Sequence, residues 1–228
     1  MKQFDPSVFD FDNPSALFRF EDWLKGLIGG RLFYDPYFET RGGFRGNEVV
    51  LDFGCGGGVS TRCIAAKLTR GGRVTGVDIS SYFTAKAQKR LEGFSNARVL
   101  RGEITNLALP QQSFDLISII HVIHDIVKEK RAGTVRALAG VLRPQGRLWI
   151  WEPIRQSHGM PAEEIRRVMA EAGLREVSAE TEGSSYKGIF EKESRTHSAA
   201  TVWTRYGEDA RGVRRLASPR LGCAICCC

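Results

Sequence analysis

The chain has 228 residues, of which 42% are hydrophobic, and its 33 Lys and Arg residues against 26 Asp and Glu residues give a formal net charge of +7. This size suits one domain built on a sheet covered on both faces, and it excludes a second catalytic domain. The apolar runs are all far shorter than the roughly 20 residues that span a bilayer, so no membrane segment is predicted.

The N-terminal part, residues 1–46, is predicted to be helical and aromatic. Its first residues contain an early Asp5 and no apolar stretch before a cleavage site, so they do not match a signal peptide and we expect a cytoplasmic protein. Asn13 and Pro14 predict a helix start, and apolar residues then recur at helical spacing up to Gly29-Gly30. An aromatic connector over residues 32–46 follows.

Residues 47–192 alternate between strand and helix patterns and are predicted to form the core. Strands are predicted near 48–53, 73–77, 97–101, 113–120 and 147–151, and helices near 58–70, 81–92, 124–142 and 161–172. Two more strands, near 175–181 and 186–191, have no helix between them. The pattern predicts a parallel sheet with helices on both faces and an antiparallel hairpin at one edge.

The C-terminal part, residues 193–228, is predicted to be a basic, disordered tail that ends in cysteines. It has six arginines against three acidic residues, and its hydrophobic periodicity fades. Four of the six cysteines lie in the last six positions, too close together to surround one zinc ion easily. Since the chain has no dense basic block with interleaved aromatic residues, a nucleic-acid partner is not expected.

The glycine-rich segment from Glu48 to Thr61 is the most informative part of the sequence. A short apolar run ends at Asp52, and the glycines at 54, 56, 57 and 58 lead into the predicted helix. This pattern is typical of a nucleotide-binding turn, in which the helix N-terminus offers N–H groups to a ligand. A dinucleotide fingerprint would require a small third residue where Val59 stands, so that interpretation is disfavoured.

Polar side chains stand at the predicted strand ends, where open α/β sheets bind their ligands. They are Asp52, Asp78, Glu103, His121 and Glu152. Asp78 lies 24 positions after Gly54, a spacing that suits hydrogen bonds to ribose hydroxyls. The structural alternative for Asp52 and Asp78 is capping of the helices that follow them.

Motifs later in the sequence distinguish between a nicotinamide cofactor and S-adenosylmethionine. Arg101–Ile104, Leu109-Pro110, Ser113–Ile117 and Leu142–Leu148 follow in order after the turn Asp-x-Gly-x-Gly-x-Gly at positions 52–58. Together these motifs resemble class I S-adenosylmethionine-dependent methyltransferases, and most closely the small-molecule enzymes with a ubiquinone-biosynthesis-like core.

The resemblance implies a three-layer, Rossmann-like α/β fold. Its doubly wound sheet would have the strand order 3-2-1-4-5-7-6 with strand 7 antiparallel. It also implies S-adenosylmethionine as cofactor and a small molecule as methyl acceptor. The cofactor-binding positions that it implies are Asp52, Gly54, Cys55, Gly56, Asp78, Ile79, Glu103, Ile104 and His121. Among these, the turn would hold the methionine portion, Asp78 the ribose, and Glu103 with Ile104 the adenine.

The catalytic prediction rests on His121 and Glu152. Methyl transfer is an in-line displacement, so a base is needed only when the nucleophile carries a proton of high pKa. His121 would act as that base or position the cofactor, and Glu152 would orient the acceptor or cap its own loop. Tyr34 and Tyr37 would reach over the cofactor if the N-terminal helix closes as a lid, or would pack inside. His124 would face the acceptor or begin a helix.

No metal is predicted, because the ends of the fourth and fifth strands do not supply the three oxygen ligands of a magnesium-dependent enzyme. Two rival functions stay open. One is a nicotinamide-dependent reductase on a similar sheet, which Val59 and the passages after residue 100 disfavour. The other is a non-catalytic binder of the cofactor or of RNA.

Overall fold

The computed structural model of the protein describes residue 10, residues 12–155 and residues 158–193. The cysteine-ended tail, apart from Glu193, therefore lies outside the described residues, as do the first nine residues. Within the described ranges, no helix is both long enough and apolar enough to cross a membrane.

Seven strands form one sheet. They are β1 Val49–Phe53, β2 Arg73–Asp78, β3 Ala97–Arg101, β4 Phe114–Ile120, β5 Leu142–Pro153, β6 Leu174–Glu182 and β7 Ser185–Lys192. Their order is β3-β2-β1-β4-β5-β7-β6, and β7 pairs antiparallel with both β5 and β6. The predicted strand order and the antiparallel seventh strand are confirmed.

Helices cover both faces of the sheet. They are α1 Ala16–Gly29, α2 Asp35–Thr40, α3 Val59–Lys67, α4 Ser81–Arg90, α5 Lys128–Val141 and α6 Ala162–Glu171. One face packs against apolar residues of α2 and α3, whereas the other packs against those of α5 and α6. The central strands are therefore buried on both sides, which explains their near-continuous apolar sequences.

Helix α1 ends at Gly29, as the sequence predicts, but the chain remains helical beyond it. A π-helical turn over Gly30–Tyr34 leads directly into α2. Pro36 is tolerated because it lies in the first turn of α2, where its missing N–H needs no partner. Phe38 is fully buried and packs near Phe44 and Trp149, so burial on the sheet turns part of the expected connector into a helix.

Boundaries around the fourth and fifth strands also differ from the prediction. The chain after β4 forms a 3-10 turn over Ile123–Asp125 before α5 begins at Lys128, instead of one helix from 124. Strand β5 continues to Pro153, two residues beyond the predicted end, because β7 pairs with it over its full C-terminal half. Glu152 consequently lies inside a strand and not after one.

Candidate functional site

A pocket of about 270 Å³ opens beyond the carboxyl ends of β1, β2 and β4. Of the residues singled out from the sequence, its lining includes Tyr34, Gly54, Cys55, Gly56, Asp78, Ile79 and His121. Small-molecule sites occupy roughly 300–1,000 Å³, so this pocket is close to the lower end of that range. Its position is where open α/β sheets bind ligands.

Three glycines of the turn between β1 and α3 have positive φ, but they differ in the space that an added Cβ would find. Gly54 has φ of +70°, and a Cβ there would stand 2.3 Å from Cγ2 of Val122. Gly58 has φ of +79° and begins α3, where a Cβ would stand 2.9 Å from that of Ala87. Only Gly56, with φ of +49° and no atom within 4 Å of a Cβ, faces open space. The expected close approach of a ligand to the backbone is thus possible at Gly56.

The N-terminus of α3 contributes polarity to the same pocket. Gly58 occupies the N-cap position without a side-chain cap, and Val59 and Ser60 of the first turn line the pocket. The first N–H groups of a helix carry partial positive charge, which favours a carboxylate or another electron-rich group of a ligand.

Asp78 is one of two acidic residues, with Asp125, among the described residues that line the pocket. Its Oδ2 accepts a hydrogen bond from the Gly56 N–H at 2.9 Å, and its Oδ1 accepts one from the Ser80 N–H at 2.9 Å. Burial raises the pKa of this carboxyl, while these two hydrogen bonds work in the opposite direction. A carboxylate has about four acceptor positions, so each oxygen retains capacity for one ligand hydroxyl.

Asp52 lies beneath the turn and does not line the pocket. Its Oδ2 accepts hydrogen bonds from the Ser60 hydroxyl at 2.7 Å and from the Thr61 hydroxyl at 2.6 Å. The side chain is 1% exposed. Asp52 therefore fastens the first turn of α3 to β1 through two hydroxyl groups, which is a structural role but neither the helix capping nor the cofactor contact considered from the sequence.

Burial raises the pKa of Asp52 from 3.8 to about 6, partly offset by the two hydroxyl donors. Between pH 4 and 6 the folded protein thus binds more protons at Asp52 than the unfolded chain, so this group makes stability fall as pH rises. A difference of about two pKa units corresponds to roughly 3 kcal/mol. Urea unfolding at pH 4, 5, 6 and 7 should show this loss in the wild type and a flatter curve in Asp52→Asn. Identical pH dependence in the two proteins would refute the raised pKa.

The two residues expected at the adenine have different environments. Glu103 points its Oε1 at Nζ of Lys130, 3.0 Å away, and its side chain is 48% exposed. Ile104 is buried in the apolar core beneath. Gly102, just before them, lines the pocket. Neither Glu103 nor Ile104 lines the pocket, so the structure supports this part of the site least.

Cys55 lines the pocket but is not a reactive thiol. Its side chain is buried, and burial together with the charges of Asp52 and Asp78 raises the pKa of the thiol well above its ordinary value. A thiol kept protonated is a poor nucleophile. Any contribution of Cys55 to ligand binding therefore comes from its backbone.

His121 has the backbone conformation of a constrained site residue. Its φ is +57°, in the left-handed region that side chains other than glycine seldom adopt. The His121 N–H donates to the Trp151 carbonyl at 2.8 Å, and the two rings meet edge to face with centroids 5.0 Å apart. These contacts hold the imidazole at the wall of the pocket.

The two tyrosines of the N-terminal part are placed differently. Tyr34 is half-buried and lines the pocket. Tyr37 is buried, packs its ring 5.1 Å from that of Trp151, and has a pKa raised by burial. Tyr34 thus lies where it can contact a bound ligand, and its role over the cofactor stays a prediction, whereas Tyr37 has the packing role that was its alternative.

Glu152 is fully buried and does not reach the pocket. Its Oε1 accepts hydrogen bonds from the N–H groups of Val122 and Ile123, both at 2.8 Å. Its Oε2 lies 2.6 Å from Nδ1 of His124. Because all of these partners belong to the turn after β4, Glu152 shapes that turn and does not orient an acceptor directly, contrary to the expectation.

His124 and Asp125 lie in this turn and meet His158, which follows β5. Burial lowers the pKa of His124, but the hydrogen bond and charge of Glu152 outweigh burial and raise it overall. Burial and the charge of His124 lower the pKa of His158. Sequence reasoning missed Asp125 and His158. The signal that was present is that β4 and β5 are neighbours, so the segments after them must meet.

Comparison with known proteins supports one family. Residues 50–146 match the model of a family described as a methyltransferase domain. The demethylmenaquinone methyltransferase of Tropheryma whipplei is 36% identical over 112 residues, which cover 48% of this chain and 44% of that protein. The 2-phytyl-1,4-naphtoquinone methyltransferase of Thermosynechococcus vestitus is 31% identical over 99 residues, 43% of each protein. The chain therefore aligns with less than half the length of these relatives.

The fold agrees with solved structures of the same kind. A SAM-dependent methyltransferase from Aquifex aeolicus superposes with a TM-score of 0.58 at 22% identity, covering 83% of this chain and 98% of that one. At this identity the likeness establishes the fold alone. The matched methyltransferase-domain segment at residues 50–146 covers less than half of the chain and runs through this sheet from β1 into β5.

Proposed function

We propose that this protein transfers a methyl group from S-adenosylmethionine to a small-molecule acceptor. The observation that carries the proposal is the pairing of Asp78 with Gly56 at the wall of the pocket, 2.9 Å apart. It sets an electron-rich carboxylate beside a stretch of backbone that a ligand can approach closely.

Three features of the pocket suit S-adenosylmethionine. The remaining acceptor capacity of Asp78 suits two ribose hydroxyls, and the open space at Gly56 admits a ligand against the main chain. The uncapped N-terminus of α3 suits the methionine carboxylate. When bound there, the cofactor supplies an activated methyl group on a sulfonium.

The residues of the chain supply positioning and a possible proton acceptor. Bringing the nucleophile and the methyl carbon together removes much of the entropic barrier to the reaction. His121 lines the pocket and is the candidate base for an acceptor that loses a proton. Glu152 is not such a base, because its oxygens are buried and occupied by backbone and imidazole donors.

A quinol-type compound is the first acceptor to test. The two named relatives act, by their names, on demethylmenaquinone and 2-phytyl-1,4-naphthoquinone. Beside His121 the pocket is lined by the apolar residues Ile120, Val122 and Ile126, which suit a flat ring. The free thiols of Cys55 and Cys63 are compatible with the cytoplasmic location proposed for the reaction.

Calorimetric titration of the full chain tests the cofactor class. We expect S-adenosylhomocysteine to bind with one site per chain and NADH to give no heat. Binding of NADH with no heat from S-adenosylhomocysteine would overturn the proposal in favour of a reductase. Incubation with methyl-labelled S-adenosylmethionine and a panel of hydroquinones then tests transfer, and label in the hydroquinone fraction is the expected result.

A further inference from the structure

Three potential metal-binding side chains meet next to the pocket. His124 and Asp125 come from the 3-10 turn after β4, and His158 comes from the segment after β5. Nε2 of His124 lies 3.0 Å from Nε2 of His158 and 3.3 Å from Oδ1 of Asp125. Nε2 of His158 lies 3.6 Å from the same Oδ1.

These separations suit ligands of one ion. Imidazole nitrogens and carboxylate oxygens bind zinc at about 2.0–2.2 Å, so two of them stand roughly 3.0–3.6 Å apart when their angle at the ion is about 90–120°. All three measured distances fall in that interval. Two nitrogens and one oxygen are ligands that zinc and its neighbours in the first transition series accept, whereas magnesium prefers oxygen alone.

The surroundings of the cluster also favour an ion. Oδ1 of Asp125 is shielded from solvent and accepts no hydrogen bond, which is costly for a carboxylate oxygen. Nδ1 of His124 is 2.6 Å from the buried Glu152 carboxylate, which directs the proton of a neutral imidazole to Nδ1 and the lone pair of Nε2 toward the cluster. Metal-binding histidines are commonly oriented in this way by a carboxylate behind them.

We propose that His124, Asp125 and His158 bind a divalent transition-metal ion of the zinc type, with Glu152 positioning His124. Three protein ligands leave at least one coordination position for an exchangeable oxygen. Asp125 also lines the pocket, and the His158 side chain is 44% exposed, which gives an ion a route to the cluster. The inference that an acceptor oxygen binds the ion rests on the proposed methyl transfer. The inference that the ion itself binds does not.

Titration with cobalt(II) chloride tests the site without any methyl donor. The full chain is used with Cys223, Cys226, Cys227 and Cys228 changed to serine, because terminal thiols would bind the same ion. We expect one cobalt per chain, with visible absorption of nitrogen and oxygen coordination and no thiolate charge-transfer band. Zinc should displace the cobalt and abolish the absorption.

Variants test whether the cobalt absorption comes from binding to His124, Asp125 and His158. His158→Ala and Asp125→Asn should each weaken cobalt binding at least about 10-fold. His121→Ala removes an imidazole whose ring centroid is 6.4 Å from that of His124, and it should leave cobalt affinity unchanged. Thermal unfolding of each variant establishes that it is folded.

Three results would overturn the metal site. They are no cobalt absorption at millimolar cobalt, equal affinity in the wild type and in folded His158→Ala, or loss of binding in His121→Ala alone. Titration of the same preparations with S-adenosylhomocysteine keeps the two proposals separate. Cofactor binding without cobalt binding rejects the ion and leaves the proposed function intact, whereas the opposite result rejects the proposed function.

Discussion

Asp78→Ala is expected to weaken binding of S-adenosylhomocysteine by roughly 10- to 100-fold. Hydrogen bonds to a charged acceptor contribute about 1.5–3 kcal/mol each, and Asp78 is the acidic side chain placed for the ribose hydroxyls. The substitution also leaves the Gly56 and Ser80 N–H groups without their acceptor, so part of the loss would come from a less ordered turn. Calorimetry measures the affinity, and thermal unfolding measures the stability.

Two variants separate these contributions. Asp78→Asn removes the charge and keeps an oxygen acceptor for only one of the two backbone donors, so it should lose less stability than Asp78→Ala and still lose affinity. Glu171→Ala removes one negative charge from the exposed outer surface of α6, and it should change neither quantity. If Asp78→Ala binds S-adenosylhomocysteine as the wild type does, while remaining folded, the ribose contact is elsewhere.

The fold was predictable because the hydrophobic pattern and the turn residues agree over the whole core. Gly71-Gly72 separates α3 from β2, and the absence of a helix between the last two strands forces an antiparallel pair. Asp78 and Gly56 were also predictable as pocket residues, because they stand at a strand end and at the open position of a glycine turn. These placements depend on local chain geometry alone.

The positions of Asp52 and Glu152 depended on details that the sequence does not contain. Glu152 was predicted to follow a strand that ends at 151, whereas Asp52 was predicted at the end of a strand over 48–53, and each is the second-to-last residue of its strand. Successive side chains of a strand point to opposite faces, so whether a carboxylate meets the pocket or the interior depends on its exact position in the strand. Asp52 consequently meets hydroxyls of α3, and Glu152 meets the turn after β4.

The histidine cluster depends on contacts between residues that lie far apart in the sequence. His124 and His158 are 34 positions apart, and neither has a spacing that resembles a metal motif. They meet because β4 and β5 pair in parallel, so that the segments leaving their carboxyl ends are neighbours. The strand order implied by the resemblance already placed strand 4 beside strand 5, whereas the distances within the cluster required the side-chain conformations that Glu152 imposes.

Glu152→Ala is expected to lower the free energy of unfolding by about 3–5 kcal/mol, as removal of one member of a buried, charged network does. The change leaves the backbone N–H groups of Val122 and Ile123 without their acceptor. It also removes the carboxylate that contacts Nδ1 of His124. Urea unfolding at pH 7 measures the effect. Glu182→Ala, an exposed carboxylate paired with Lys187, is the matched control and should stay within about 0.5 kcal/mol of the wild type.

Glu152→Gln distinguishes a positioning role from a purely structural one. Its amide oxygen can still accept from the two backbone N–H groups, so we expect a smaller loss of stability, about 1–2 kcal/mol. Its NH₂ group would face Nδ1 of His124, and that nitrogen must then accept, which moves the imidazole proton to Nε2. Nitrogen NMR of the His124 ring should therefore report the opposite tautomer from the wild type. An unchanged tautomer, or a stable Glu152→Ala protein, would show that Glu152 does not control the turn that joins the pocket to the histidine cluster.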